Sequence, residues 1–164
     1  MAFVKNTYQQ LTFYDRVRDL DERERRIFDK SWAKQFGDKI FPLIDESRFA
    51  VLYSDKASRP NTPVNCVVGG ILLERLLDMT DEEMIETLIF DVRYQYALQT
   101  HTCMVQPFST NTFRRFRVRN DKYKEETGRD LLEEYMKELE QLVREDPVLR
   151  VLIRRSERNG NTEK

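Results

Sequence analysis

Apolar residues recur along most of the chain at spacings of three and four, the period of an α-helix with one buried face. The clearest run is Val64, Val67, Val68, Ile71, Leu72, Leu76 and Met79, about four turns long. Thr62 and Pro63 precede it as an N-cap and a proline at the first helical position, where the missing N–H is harmless. This helix is expected at the centre of the core. Thr80-Asp81-Glu82-Glu83 then reads as a capping box, with Ile85, Leu88, Ile89 and Val92 as the inward positions of the helix it starts. Asp91 restarts a short helix from Val92 to Leu98, and Gln99 to Phe108, which contains Pro107, is a connector.

Ser109 offers an N-cap for a helix running through Phe113, Phe116 and Tyr123 to Gly128. Asp130 opens a last amphipathic helix with Leu131, Leu132, Tyr135, Met136, Leu139, Leu142 and Val143, which Pro147 ends. Val148 to Ile153 adds a short helical turn, and the residues from Arg154 on read as a frayed tail. Upstream, a charged helix starts at Asp19 or Asp21, with Leu20, Ile27, Phe28, Trp32 and Phe36 as apolar positions and Gly37 where a C-terminal cap would sit. Asp45 to Tyr53 predicts a short helix with Phe49 and Leu52 turned inward, and Ser54 to Pro63 is a polar connector. Residues 1–18 show no clear period.

With only 5 Gly and 5 Pro in 164 residues, the pattern predicts an all-α fold, a compact multi-helix bundle containing a helix-turn-helix-like unit. Three regions are expected: an N-terminal helical arm or subdomain over 1–57, a helical domain over 58–146, and a short helix and tail over 147–164. The longest nearly uninterrupted apolar stretch, Cys66 to Leu73, is 8 residues long, far below the about 20 that a membrane span needs. No signal-peptide pattern opens the chain, so a cytoplasmic protein with no membrane partner is expected. Cys66, Cys103 and the single His101 match no zinc-ligand pattern, so both thiols are expected reduced, with no metal and no cofactor.

The net charge is −1, which gives no overall pull toward nucleic acid. Its distribution changes that picture. Between Ser109 and Lys124 six cations, Arg114, Arg115, Arg117, Arg119, Lys122 and Lys124, stand against Asp121 alone, a local charge of +5 that leaves −6 for the remainder. Winding this segment at about 100° per residue puts Phe113, Phe116, Asn120 and Tyr123 on one face. Thr110, Asn111, Arg114, Arg115, Val118 and Lys122 project from the other, and Arg117 and Arg119 flank the two. Such a face suits a recognition helix, with Arg and Asn near its N-terminal end reaching base edges and flanking cations meeting phosphates. The helix from Thr80 and the short helix after it would complete a helix-turn-helix variant, although the connector exceeds the usual three to four residues.

Two other readings compete on spacing alone. One is an ordinary solvated helix face. The other is a helical protein-interaction or dimerisation module whose basic face serves an acidic partner. A stand-alone helix-turn-helix regulator is a third possibility within the DNA-binding class. Asp78, Asp81, Glu82, Glu83, Glu86 and Asp91 cluster in sequence, but those after Thr80 favour the helix dipole, and no histidine or motif accompanies them as it would in a hydrolase or nuclease. Arg59 either touches the DNA backbone as part of an arm or pairs with a nearby acid. Leu132, Tyr135, Leu139 and Leu142 form a heptad-like stripe of less than two repeats, which suits intramolecular packing and leaves a homodimer through the 130–145 helix as a minority expectation.

From Ser58 to Leu131 the pieces take a recognisable order. Arg59-Pro60 precedes the apolar helix and Thr80-Asp81-Glu82-Glu83 starts the next. Phe90-Asp91 and Arg93-Tyr94 follow it, and Ser109 through Arg117 forms the basic helix. Together they resemble the N-terminal domain of bacterial insertion-sequence transposases with a DDE-type catalytic domain, of the InsH-like kind. The resemblance implies a module that recognises double-stranded DNA at the terminal inverted repeats of a mobile element. It also implies a parent transposase in which a metal-dependent RNase H-like domain follows this region. The chain stops at Lys164, so none of its acids is assigned to that domain's triad, no catalysis is expected of these residues, and a nucleoid-associated location is expected.

Overall fold

The computed structural model describes residues 2–6, 14–54 and 61–153, and they form an all-α arrangement. The elements run α1 (Glu22–Asp29), α2 (Trp32–Gln35), a π-helical turn (Phe36–Ile40), 3₁₀ segments at Phe41–Leu43 and Glu46–Leu52, α3 (Val64–Leu77), α4 (Asp81–Phe90), α5 (Val92–Ala97), α6 (Thr110–Thr127) and α7 (Leu131–Glu145). Among the described residues the extended backbone contributes one isolated bridge, Ala2 to Ser54.

The central position expected of the 64–77 helix is observed. Val64, Cys66, Val67, Val68, Ile71, Leu72, Leu73 and Leu76 are all buried, on every side of α3. Gly69 and Gly70 let neighbours approach closely: a Cβ on Gly69 would stand 2.8 Å from Leu98 Cδ2, and one on Gly70 would stand 2.7 Å from Phe113 Cε1. The close passage of α3 and α6 therefore depends on a residue without a side chain at position 70. One contiguous core joins Ala33, Phe36, Ile40 and Phe49 from the N-terminal part to α3, α4, α6 and α7 and to Leu149, Leu152 and Ile153.

Several helix boundaries follow the sequence signals closely. Thr80 accepts from Glu83 N while Glu83 reaches back to Thr80 N, at 3.2 and 2.7 Å, which completes the capping box. Asp91 caps α5 through Arg93 N, and Asp130 caps α7 through Glu133 N at 3.0 Å. Gly128 ends α6 in the left-handed region at φ 74°. At the start of α3 the expectation is off by one residue, because Pro63 itself occupies the cap position and Val64 begins the helix.

The single charged helix expected from Asp19 or Asp21 to Gly37 is instead interrupted. Its first part stops at Asp29, and Ser31 restarts the chain as a cap accepting from Lys34 N at 3.3 Å. Gly37 is no cap: it lies buried in the π-helical turn, where an added Cβ would meet the Tyr96 ring and carbonyl at 2.9 Å. Ile27, expected inward, is exposed, because α1 turns only Phe28 into the core. The helix expected over Asp45 to Tyr53 is a 3₁₀ segment that buries Phe49. On α4 the inward positions are Met84 and Leu88, whereas Ile89 is exposed. The stripe of α7 turns Tyr135, Met136, Leu139 and Val143 into the chain's own core, where the Tyr135 hydroxyl accepts from Asp45 N at 2.6 Å and donates to Leu43 O at 3.2 Å.

Candidate nucleic-acid interface

The basic segment forms α6, 18 residues and about 27 Å long at 1.5 Å per residue. At its start Thr112 Oγ1 accepts from Ser109 N at 3.1 Å, and Thr112 N donates to Ser109 O at 2.8 Å. The inward face is the expected one: Phe113, Phe116 and Asn120 are buried and Tyr123 is half-buried. Phe113 stacks on Phe108 with ring centroids 6.0 Å apart, and Phe116 meets Phe49 edge-on at 5.3 Å. The helix is thereby seated on α3, α4 and α7.

Asn120 contributes a tie that the helical period alone did not reveal. Its Nδ2 donates to Asp130 Oδ1 at 2.9 Å, and its Oδ1 accepts from Leu132 N at 3.0 Å, so the amide joins α6 to the first turn of α7. Lys124 Nζ reaches the second Asp130 oxygen at 3.0 Å. Burial works against the Asp130 carboxylate, yet the Glu133 backbone N–H, Asn120 and Lys124 hold its pKa down at about 2. This bonding fixes the C-terminal half of α6 against α7.

The opposite face is open to solvent. Asn111, Arg114, Arg115, Val118 and Lys122 are all exposed, and at 100° per residue they span an arc of only about 100°. Arg114 Nη2 donates to Asn111 Oδ1 at 3.0 Å, and Lys122 stands 3.8 Å from Glu126 Oε1. Val118 is 58% exposed, an isolated apolar side chain among the cations, and a hollow of about 310 Å³ is lined by Arg114, Arg115, Val118 and Arg119. Thr110 is half-buried at the helix start. Arg119 leans away from the arc, its guanidinium 4.9 Å above the Tyr53 ring. Arg59 lies outside the described residues.

Arg117, the other flanking cation, is engaged inside the fold. Its Nη1 donates to Asp81 Oδ1 and Oδ2 at 2.7 and 2.8 Å, and its Nη2 pairs with Glu74 Oε2. Glu74 is only 5% exposed. Burial dominates its titration and, with the nearby Asp81 and Glu82 charges, outweighs Arg117 to raise the carboxyl to about 7. The sequence carried one sign of this arrangement, a glutamate inside an otherwise apolar helix, but nothing local named its partner.

A pH dependence of stability follows. An acid whose folded-state pKa lies above its unfolded value binds its proton more tightly in the native state, so the contribution of Glu74 to stability declines as pH rises from about 4.5 to about 7 and levels off above. Glu74→Gln removes that decline, an effect of the order of 3 kcal/mol at most. Urea melts of both proteins across this pH range provide the check: the difference between them should grow between pH 4.5 and 7 and stay constant above.

Among the described residues no group of three or more His, Cys, Asp or Glu side chains could hold a metal ion, and no helix is long and apolar enough to cross a membrane. Both cysteines are free; Cys66 is buried, its Sγ 3.3 Å from Leu98 O, and burial pushes its thiol pKa well up.

Fold and face together define an all-α domain that presents one rigidly seated, cationic helix to solvent. A family model described as Transposase domain (DUF772) matches residues 25–119, more than half the chain, and the protein belongs to that family. The matched span runs from α1 to Arg119 and takes in most of the exposed arc on α6. No curated protein and no solved structure matches the chain.

Proposed function

We propose that this transposase-family domain binds double-stranded DNA through the exposed arc of α6 and that its target is the terminal inverted repeat of an insertion sequence. The observation that carries the reading is the juxtaposition of the arc with the opposite, packed face: from Asn111 to Lys122 the arc holds five exposed positions, three of them cationic, ahead of the exposed Glu125, on a helix held by aromatic packing. A helix of about 10–12 Å diameter fits the major groove, which is about 12 Å wide. Arg114 and Arg115 are suited to guanine edges or phosphates, Asn111 to adenine, Val118 to a thymine methyl group and Lys122 to a phosphate. Thr110 lies at the helix N-terminus, where free backbone N–H groups favour a phosphate. In this reading α4 is the supporting helix of a helix-turn-helix-like pair, packed directly on α6.

The charge distribution supports the same reading. Of the +5 carried by the segment, Arg117 is paired with Asp81 and Glu74 and Lys124 with Asp130, so the attraction rests on Arg114, Arg115 and Lys122, while the acidic remainder disfavours indiscriminate binding. No catalytic role is proposed for these residues. Strand cleavage and joining are assigned to another domain of a parent transposase.

Selection from a randomised duplex pool, followed by binding measurements across salt concentrations, tests the proposal. The expected result is enrichment of a defined sequence and a log K that falls with log salt at a slope of about −3, about one unit for each of the three arc cations brought into the groove and displacing counterions there. Absence of duplex binding at low salt, or binding indifferent to salt, would overturn it.

A further inference from the structure

Arg117 sits on the border between the two faces of α6, within one turn of Arg114 and Val118, yet its guanidinium is turned into the fold. Asp81 stands in the first turn of α4 and Glu74 lies within α3, so a single planar group joins three helices. Both Asp81 oxygens accept from one guanidinium nitrogen and Glu74 Oε2 accepts from the other. Such a bracket restrains the rotation of α6 about its own axis more tightly than hydrophobic packing does, because hydrogen bonds to carboxylates are directional.

We propose that Arg117 is a positioning residue of the DNA-reading helix, not one of its phosphate contacts, and that Glu74 makes this positioning respond to pH. The inference rests on the reading of α6 as the DNA-contacting helix. A small rotation of α6 carries Arg114, Arg115 and Val118 sideways relative to a groove, so the bracket governs which base edges they meet while leaving the number of phosphate contacts unchanged. The Glu74 arm of the bracket is buried while Arg117 and Asp81 are partly exposed, a setting in which an ion pair adds little net stability, and fixing a geometry is the use to which this one is put.

The pH response follows from the surroundings of Glu74. Asp81 and Glu82 of α4 and Arg117 of α6 face it. Across an adjacent cavity of about 460 Å³ stand Asp121 of α6 and Asp130 and Glu133 of α7, with Arg75 of α3 and Asp78 at its end on the near side. Its Oε1 is buried and has no hydrogen-bond partner among the described residues. Protonation relieves the cost of burying the carboxylate charge and removes the attraction that draws Arg117 toward α3. With the carboxyl titrating at about 7, the bracket has both carboxylate arms above neutrality and Asp81 alone below it.

The test uses the full chain, the duplex enriched from a randomised pool and a scrambled duplex of the same composition. Arg117→Lys keeps the charge but cannot span both carboxylates. It is expected to bind scrambled duplex with the parent's affinity and salt slope, while its preference for the enriched duplex falls about tenfold. In the parent that preference is expected to decline as pH falls through 7; in Glu74→Gln, an isosteric change that keeps the fold, it is expected to be independent of pH. Arg117→Lys discriminating as well as the parent, or a parent preference that does not change across pH 7, would overturn the inference alone. A parent chain that enriches no sequence would overturn the DNA-binding reading and this inference with it.

Discussion

Replacing Arg114 and Arg115 together by alanine is expected to abolish the preference for the enriched duplex over scrambled DNA and to lower the salt slope by about two units. Both side chains are exposed, at the two edges of the arc, and among the described residues the one hydrogen bond made by either is that of Arg114 to Asn111, a neighbour on the same helix. Losing them removes no core contact, and alanine is the better helix former, so helical content and melting temperature should be unchanged. Each bidentate guanidinium–base pair discriminates by about 1–3 kcal/mol, so a double loss is enough to erase sequence preference. Equilibrium titration by fluorescence anisotropy at several salt concentrations reads both quantities at once. A double variant that keeps the parent's preference would show that the arc is not the reading surface.

Phe116→Ala is expected to have the largest effect on stability. The ring is 1% exposed and meets Phe49 edge-on, at the point where α6 is seated on the 3₁₀ segment Glu46–Leu52. Emptying such a site costs about 3–5 kcal/mol, from the lost burial and the cavity left behind. Domains of this kind are stable by only about 5–15 kcal/mol. Calorimetry should therefore find the melting temperature lowered by about 10 °C or more. Val118→Ala, two residues along but on the exposed arc, should change stability by less than about 0.5 kcal/mol. The pair separates the two faces of one helix, one maintaining the fold and the other available to a ligand.

The helical period revealed both faces of α6, because a long helix with aromatic residues at three- and four-residue spacing carries its own geometry. Local signals did the same for its ends: Ser109, Gly128 and Asp130 act within four residues of themselves, as does the capping box at Thr80. The α1–α2 region was less legible. Its break at Lys30 is marked by a local cap, Ser31, that the spacing of apolar residues passes over, and the π-helical turn around Gly37 packs against Tyr96, which approaches from 59 residues further along the chain. Arg117 shows the same limit within the candidate site. By residue type it belongs with the other arginines, and only contacts 36 and 43 residues away in sequence commit its guanidinium to two carboxylates. Arg119 is similar, drawn over Tyr53 by the packing of the Glu46–Leu52 segment beside α6. A window of sequence shows which cations share a helix; it does not show which of them the tertiary structure has already used.

The most direct test of the central claim is to titrate the enriched duplex into isotope-labelled protein and follow backbone and arginine side-chain resonances. The account expects the largest changes at Asn111, Arg114, Arg115, Val118 and Lys122, with smaller ones at Thr110 and little at the Arg117 guanidinium, which stays with Asp81 and Glu74. Changes confined to α1, α4 or α7, with the α6 arc unperturbed at saturation, would contradict it.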